Sequence, residues 1–269
     1  MRFDALRLLL LLDSSSSSSD VNKVDGDDNG CSPLMLASVG GHLRVASRLL
    51  LSRGADANHI SENGFLGAAS NLGHVEVVSL LLDHGADVNQ FDDRGFSALY
   101  LASESGHAEV ARLLLSNGTD ANQTSNDACS ALYIACQNGN VSFARLLPET
   151  TTGVDVNRAT NDRASPLCVA SFEGLVAVVR LLLSHGADAN KSADPGSAPL
   201  CVARTRGHVE VGRLLLETTR ADVNQTANNG GAPLCMACSN GQVSAARLLL
   251  LKRGADVNHL SRALAASFR

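Results

Sequence analysis

The sequence contains no tryptophan, and aromatic residues make up only 3 % of it. A hydrophobic core therefore has to be aliphatic, and an apolar content of 45 % is sufficient for one. Basic residues are not in excess either, because 22 Lys and Arg stand against 27 Asp and Glu, for a formal net charge of −5. Binding to a phosphate backbone needs clustered positive charge, so we expect no nucleic-acid partner.

Long apolar runs are also missing. No run approaches the roughly 18 residues that a transmembrane helix needs, so we expect no membrane partner. The apolar run near the start, Leu8 to Leu12, is short, lies between Asp4 and Asp13, and is followed by no small-residue cleavage motif, which argues against a signal peptide. The seven cysteines are scattered and odd in number, which is typical of free thiols in a reducing compartment. We expect an intracellular protein, cytoplasmic, with the nucleus as the alternative.

A segment composed of a turn, a helix, a glycine and a polar exit recurs along the chain. One copy runs from Gly106 to Asn122 and reads GHAEVARLLLSNGTDAN. The copies follow one another at about 33 residues, a period typical of stacked-repeat proteins. Each copy begins at a turn glycine: Gly41, Gly73, Gly106, Gly139, Gly174, Gly207 and Gly241. Because each repeat of such a protein contacts only its neighbours, we expect one array of repeats.

Each copy is predicted to contain two helices. In the first full copy, Ser32 suits the cap of the first helix and Pro33 its first turn. The second helix has its apolar stripe at helical spacing from Leu43 to Leu50. Gly54 is predicted to end it in a left-handed conformation.

At these residues the chain resembles the ankyrin-repeat family, whose pattern it follows in register seven times. The resemblance implies an all-α solenoid of about seven helix-turn-helix repeats joined by β-hairpin loops. Residues 1–28 are interpreted as a degenerate repeat with a serine-rich insertion, Ser14 to Ser19, and residues 262–269 as a truncated repeat start. The seven repeats are predicted at 29–62, 63–93, 94–126, 127–161, 162–194, 195–228 and 229–261.

Several residues depart from the family pattern. Ala198 and Ala232 stand where a hydroxyl side chain normally caps the first helix, at an expected cost of about 1 kcal/mol each. Leu66 and Gly67 are interpreted as the place of a two-residue deletion in the second repeat. Pro148 is expected to end its helix early.

No arrangement of residues predicts catalysis, a metal ion or a cofactor. Cys235 and Cys238 form a C-x-x-C pair, but no second pair follows, so we interpret them as small core thiols. Histidines that follow a turn glycine, such as His74, are expected to form local hydrogen bonds at the turn. One position is predicted to form a packing row: Tyr100, Tyr133, Cys168, Cys201 and Cys235. The family resemblance implies that exit asparagines such as Asn58 are candidates for hydroxylation, although hydrogen bonding in the hairpins is the favoured interpretation.

Positions that vary between repeats are the candidates for partner binding. In the ankyrin family the concave face, made of hairpin tips and exposed first-helix positions, holds protein partners, and the resemblance implies the same here. The candidates are Phe65, Leu72, Phe96, Glu104, Gln137, Asn138, Phe172, Glu173, Thr205 and Arg206. We expect a monomeric chain that binds a protein not identified by the sequence.

Three of these candidates are predicted to form one apolar patch. Phe65, Leu72 and Phe96 are large and come from neighbouring repeats, so they are suited to anchor a partner. The competing interpretation is that they only pack against the hairpins. Arg204 and Arg206 are expected to form the basic end of a charge gradient that orients the partner.

These observations favour a non-enzymatic interaction scaffold that binds a partner through its concave face. The alternative is a targeting or regulatory segment of a larger enzyme, such as a kinase or a ubiquitin ligase, whose catalytic domain is absent from this chain. Nothing in the residues themselves supports catalysis. The sequence of the full transcript distinguishes the two.

Overall fold

The structure, a computed structural model, describes residues 32–58, 64–191, 198–218 and 221–222, and also residues 224, 234, 237–238, 241, 243, 246–247 and 249–250. The predicted segments 1–28 and 262–269, with the serine run, lie outside the described residues, as do Cys235 and Ala232. The chain divides into two compact units, Met1–Asn126 (unit 1) and Asp127–Arg269 (unit 2).

In unit 1 the described residues form three helix pairs. The pairs are α1 (Pro33–Val39) with α2 (Leu43–Arg53), α3 (Phe65–Asn71) with α4 (Val75–Asp83), and α5 (Ala98–Ser105) with α6 (Ala108–Ser116). The two helices of a pair pack on each other. First helices also pack on the first helix of the next pair, and second helices on the next second helix. The result is a two-layer stack.

In unit 2 the described residues repeat this arrangement. The pairs are α7 (Ala131–Gln137) with α8 (Val141–Thr150), α9 (Pro166–Phe172) with α10 (Val176–Ser184), and α11 (Pro199–Thr205) with α12 (Val209–Thr218). The described residues around Leu234 and Leu249 are helical as well. The all-α repeat architecture expected from the family resemblance is confirmed.

A serine caps the first helix in four of the six pairs. The hydroxyl oxygen of each accepts the backbone N–H three residues ahead at 3.1–3.3 Å, which satisfies one of the N–H groups that a helix start leaves without an internal partner. The capping residues are Ser32, Ser97, Ser130 and Ser165. At α11 the cap is Ala198, whose backbone has the same extended conformation but which offers no side-chain acceptor, as predicted.

The ends of the second helices correct one prediction. Gly54 ends α2 with a φ of 65°, the left-handed stop that was expected. Pro148, however, does not end α8, which continues to Thr150. A proline in the last turn removes only one donor, and two bonds hold the residues after it: Thr150 Oγ1 donates to the Leu146 carbonyl at 2.7 Å, and Thr151 N to the Leu147 carbonyl at 3.1 Å.

The core of both units is aliphatic, as the composition predicted. A buried leucine occupies the second position of every first helix: Leu34, Leu66, Leu99, Leu132, Leu167 and Leu200. Each second helix contributes a stripe at helical spacing. In α6 this stripe is Val110, Ala111 and Leu114, while Glu109 and Arg112 stay exposed on the other side.

We predict that replacing Ala198 by serine stabilises the protein by about 1 kcal/mol, because the new hydroxyl would accept the Cys201 N–H. The gain is measured as a shift in the midpoint of urea unfolding, followed by circular dichroism. The matched control is Ser165→Ala, which removes the bond to Cys168 N and should lose a similar amount. An unchanged midpoint for Ala198→Ser beside a lowered one for Ser165→Ala would contradict the prediction.

Candidate functional site

At two places, side chains at the ends of first helices contact each other across neighbouring repeats. Ser105 Oγ donates a hydrogen bond to Asn71 Oδ1 at 2.8 Å, and Arg206 Cζ lies 3.8 Å from the centroid of the Phe172 ring. In both, a residue two places before one turn glycine meets the residue just before the next turn glycine. We call these positions the cross-repeat pairs: Val39–Leu72 and Asn71–Ser105 in unit 1, and Gln137–Glu173 and Phe172–Arg206 in unit 2.

Histidines anchor the backbone beneath these pairs. His107 Nε2 lies 3.1 Å from the Asn71 carbonyl oxygen, and His208 Nε2 lies 2.9 Å from that of Phe172. His74 forms the same bond to Val39 at 3.1 Å. Because a carbonyl oxygen only accepts, Nε2 carries the proton in each ring. The prediction of a local bond at the turn is therefore wrong: each histidine reaches back about one repeat.

The turn glycine makes room for this histidine. Gly73 has a φ of 74°, and a Cβ added there would lie only 2.6 Å from Nδ1 of His107. The glycine thus serves both a left-handed turn and the close approach of the next repeat's ring. Where Leu175 replaces the histidine, its methyl carbon would lie a looser 3.7 Å from a Cβ on Gly139.

We predict that His208→Leu destabilises the protein by about 1 kcal/mol, because the Phe172 carbonyl loses its intramolecular donor. The measurement is the free energy of unfolding in urea. The matched variant is Leu175→His, which supplies a donor for the equivalent carbonyl, that of Gln137, and should gain up to about 1 kcal/mol. Equal stability of the wild type and His208→Leu would show that the bond contributes nothing measurable.

The polar exits of the second helices form a second link between repeats. In each described exit an aspartate Oδ1 accepts the N–H two residues ahead, as Asp87 does from Asn89 at 3.0 Å. The asparagine Oδ1 then accepts the aspartate N–H of the next repeat. The four Asn–Asp links and their distances are Asn58–Asp87 at 2.6 Å, Asn89–Asp120 at 3.1 Å, Asn157–Asp188 at 2.7 Å and Asn190–Asp222 at 2.8 Å. The asparagines do form hydrogen bonds, as predicted, but their side chains bond the exit of the next repeat and not their own turn.

Most of the candidate residues lie on the surface. Leu72 and Phe172 are exposed, the latter by 38 % of its area, and Phe96 is half-buried. The polar candidates are also exposed: Glu104, Gln137, Asn138, Glu173, Thr205 and Arg206. Thr205 Oγ1 donates to the Cys201 carbonyl of its own helix at 2.8 Å.

Phe65 is not on the surface. Its exposed fraction is 1 %, so its prediction as an exposed anchor is wrong, and the apolar patch of Phe65, Leu72 and Phe96 does not form. The cause is an error of register. Helix α3 has the same length as α1, seven residues, and carries no deletion, so Phe65 occupies the first helical position, which Pro33 occupies in α1. Gly67 follows two residues after Phe65, and a Cβ added to it would lie only 3.1 Å from the Leu101 side chain.

Phe96 belongs to a cluster at the hairpin before α5. Its ring stacks on Tyr100 with centroids 4.3 Å apart, and Arg94 Cζ lies 4.5 Å from its centroid. Arg94 donates through Nε and Nη2 to Asp92 Oδ2 at 3.3 and 3.2 Å. Asp92 Oδ1 accepts the backbone N–H groups of Arg94 and Phe96 at 2.9 and 2.7 Å. Phe96 therefore has a packing role, as the competing interpretation held.

The predicted charge gradient is wrong for one of its two arginines, Arg204, which is not on the surface. Arg204 is only 2 % exposed, so it is a core residue, and burial lowers the pKa of its guanidinium. Arg206, two residues on, is exposed and stacks on Phe172. Phe91 forms a β-bridge with Ser97 and is exposed by 47 % of its area, but the sequence did not predict it as a candidate. Nothing in its position marked it, because the hairpin pattern does not specify that residue.

The cysteines of the described residues are free thiols. Burial raises the pKa of Cys136, and raises that of Cys201 to about 11, so both are protonated near neutral pH and poor nucleophiles. Among the described residues, no three His, Cys, Asp or Glu side chains converge in a way that could hold a metal ion. In that same part of the chain no helix combines the length and the apolar character that crossing a bilayer requires.

Comparison with known families identifies the repeats. A family model described as three copies of the ankyrin repeat matches residues 48–125, 117–193 and 189–261. The model of the single ankyrin repeat matches residues 29–62. No curated protein matches the chain. The family matches extend from residue 29 to residue 261, which is most of the sequence.

Proposed function

This chain belongs to the ankyrin-repeat family, and we propose that it is a non-catalytic scaffold that binds a protein partner through the cross-repeat pairs. Ankyrin repeats are generally protein–protein interaction modules and are typically non-catalytic. The observation that carries the proposal is the contrast between a constant frame and a variable surface. Leucines, turn glycines and exit asparagines recur, while the paired positions change chemistry from one repeat to the next.

The side chains at the paired positions differ in chemical type from one repeat to the next. Val39 with Leu72 is apolar, Asn71 with Ser105 is a hydrogen-bonded polar pair, and Phe172 with Arg206 stacks a cation on a ring. A frame that holds different side chains at equivalent points is what a recognition surface requires. A core would instead favour one solution, as the buried leucines do.

The proposed contact residues are the candidates that the surface presents. They are Leu72, Glu104, Gln137, Asn138, Phe172, Glu173, Thr205 and Arg206. In protein interfaces a few large or arginine side chains carry most of the binding energy, and the others exclude water. Phe172, Arg206 and Leu72 have the size for the first role. The exposed amides and carboxylates suit the second.

The test compares two triple variants of the full chain. The surface variant carries Leu72→Ser, Gln137→Ala and Phe172→Ser. The control variant carries Glu76→Ala, Arg112→Ala and Arg180→Ala, which change exposed positions of second helices. Each protein is used for affinity capture from lysate of its source cells, with quantitative mass spectrometry, after its melting temperature has been measured.

We expect the surface variant to lose the proteins that the wild type captures, because the anchors are removed while the frame is kept. The control variant should retain them. Both should melt within a few degrees of the wild type. Capture that survives in the surface variant, or that is lost in the control, would contradict binding through the cross-repeat pairs.

A further inference from the structure

We propose that the Phe172–Arg206 pair is a receptor for a carboxylate, and that the partner presents an acidic side chain of an exposed peptide segment to it. This inference rests on the proposed function, since it names the chemistry that one part of the binding surface recognises. It is carried by a comparison inside the molecule. The chain contains a second stacked arginine, and that one already holds a carboxylate.

The completed arrangement is the cluster at the hairpin before α5. There Arg94 Cζ lies 4.5 Å from the centroid of the Phe96 ring. Arg94 donates hydrogen bonds from Nε and Nη2 to Asp92 Oδ2 at 3.3 and 3.2 Å. The aspartate side chain is 1 % exposed, so the carboxylate is fully desolvated on this site. An arginine stacked on a phenyl ring in this protein thus binds a carboxylate through its edge.

The open arrangement is the pair in unit 2. Arg206 Cζ lies 3.8 Å from the Phe172 centroid, a closer stack than that of Arg94. Among the described residues no carboxylate forms an ion pair with Arg206. An arginine that stacks on an aromatic ring keeps its N–H groups at the edge of the guanidinium, where a carboxylate binds in bidentate geometry.

The receptor is held rigidly enough to recognise a ligand. The backbone of Phe172 is fixed by the 2.9 Å bond from His208 Nε2 to its carbonyl oxygen. Arg206 follows α11 directly and caps it through its backbone N–H. Because the stack already restrains the arginine side chain, less conformational entropy is lost on binding. The exposed part of the Phe172 ring offers an apolar contact for the residue next to the acidic one.

The charges around the pair set the strength and the selectivity of the site. Glu173 follows Phe172 directly and is exposed, so its carboxylate opposes the approach of a second one. Arg204 is buried in α11 and presents no charged group at the surface. Thr205 uses its hydroxyl hydrogen within its own helix. Arg206 is therefore the group on which recognition of an acid depends, and Glu173 weakens that recognition.

The experiment is a selection of random linear peptides displayed on phage against the immobilised full chain. Four proteins are compared: wild type, Arg206→Gln, Arg206→Glu and the control Arg94→Gln, each first shown to have the wild-type circular dichroism spectrum. We expect wild type and Arg94→Gln to enrich peptides that contain Asp or Glu. Arg206→Gln should lose this enrichment, and Arg206→Glu should enrich Lys or Arg instead.

One selected peptide is then synthesised and its affinity measured by fluorescence anisotropy. A hydrogen bond to a charged group contributes about 1.5–3 kcal/mol, so Arg206→Gln should weaken binding about 10- to 100-fold. Changing the acidic peptide residue to its amide should weaken binding similarly, and combining both changes should add little. Glu173→Gln should tighten binding a few-fold.

Two failures are distinguishable. Peptides that bind wild type without any preference for acidic residues, or with a preference that Arg206→Gln leaves intact, would overturn the carboxylate receptor and leave the binding scaffold standing. If no peptide is enriched over the bare support and the affinity-capture experiment also finds no partner, both proposals fail.

Discussion

Within each unit, neighbouring repeats of the described residues complete each other's hydrogen bonding, and the rest of the structure depends on that constraint. A turn histidine donates to the carbonyl that ends the preceding first helix. An exit asparagine accepts the N–H of the next exit aspartate. These bonds lie at opposite ends of the repeat, so together with the buried leucines they set both the spacing and the orientation of adjacent pairs. A single repeat would leave these groups to water.

The same constraint explains how the surface varies without loss of the frame. The histidine bond uses a backbone carbonyl, so any side chain is accepted at the residue that carries it, whether Val39, Asn71 or Phe172. The core varies as well, because buried Arg204 stands where α5 has Ser103. A Cβ added to Gly212 would lie in ordinary van der Waals contact with its Cγ, at 3.9 Å.

Local features of the fold could be predicted from the sequence, and features set by neighbours could not. The helix pairs, the caps such as Ser165 and the stop at Gly54 depend on residues within one turn of the chain. The positions of Phe65 and Arg204 depend on which residue packs opposite. Ala128 and Arg163 adopt positive φ values of 58° and 61° where another hairpin has Gly95, because the hairpin geometry of the array overrides their own preference. Of the candidate site, the exposed helix ends were predicted correctly, whereas the stack of Arg206 on Phe172 requires a contact between repeats that no pattern within one repeat reports.

The central claim is that neighbouring repeats hold each other through specific hydrogen bonds, and amide hydrogen exchange tests it most directly. The N–H groups of Asp87, Asp120, Asp188 and Asp222 belong to exposed residues, so without the asparagine acceptors they should exchange quickly. The account predicts slow exchange for all four, measured by NMR, and selective acceleration at Asp120 when Asn89 is replaced by alanine. Exchange of these amides at the rate of an unstructured peptide, or no response to that replacement, would contradict it.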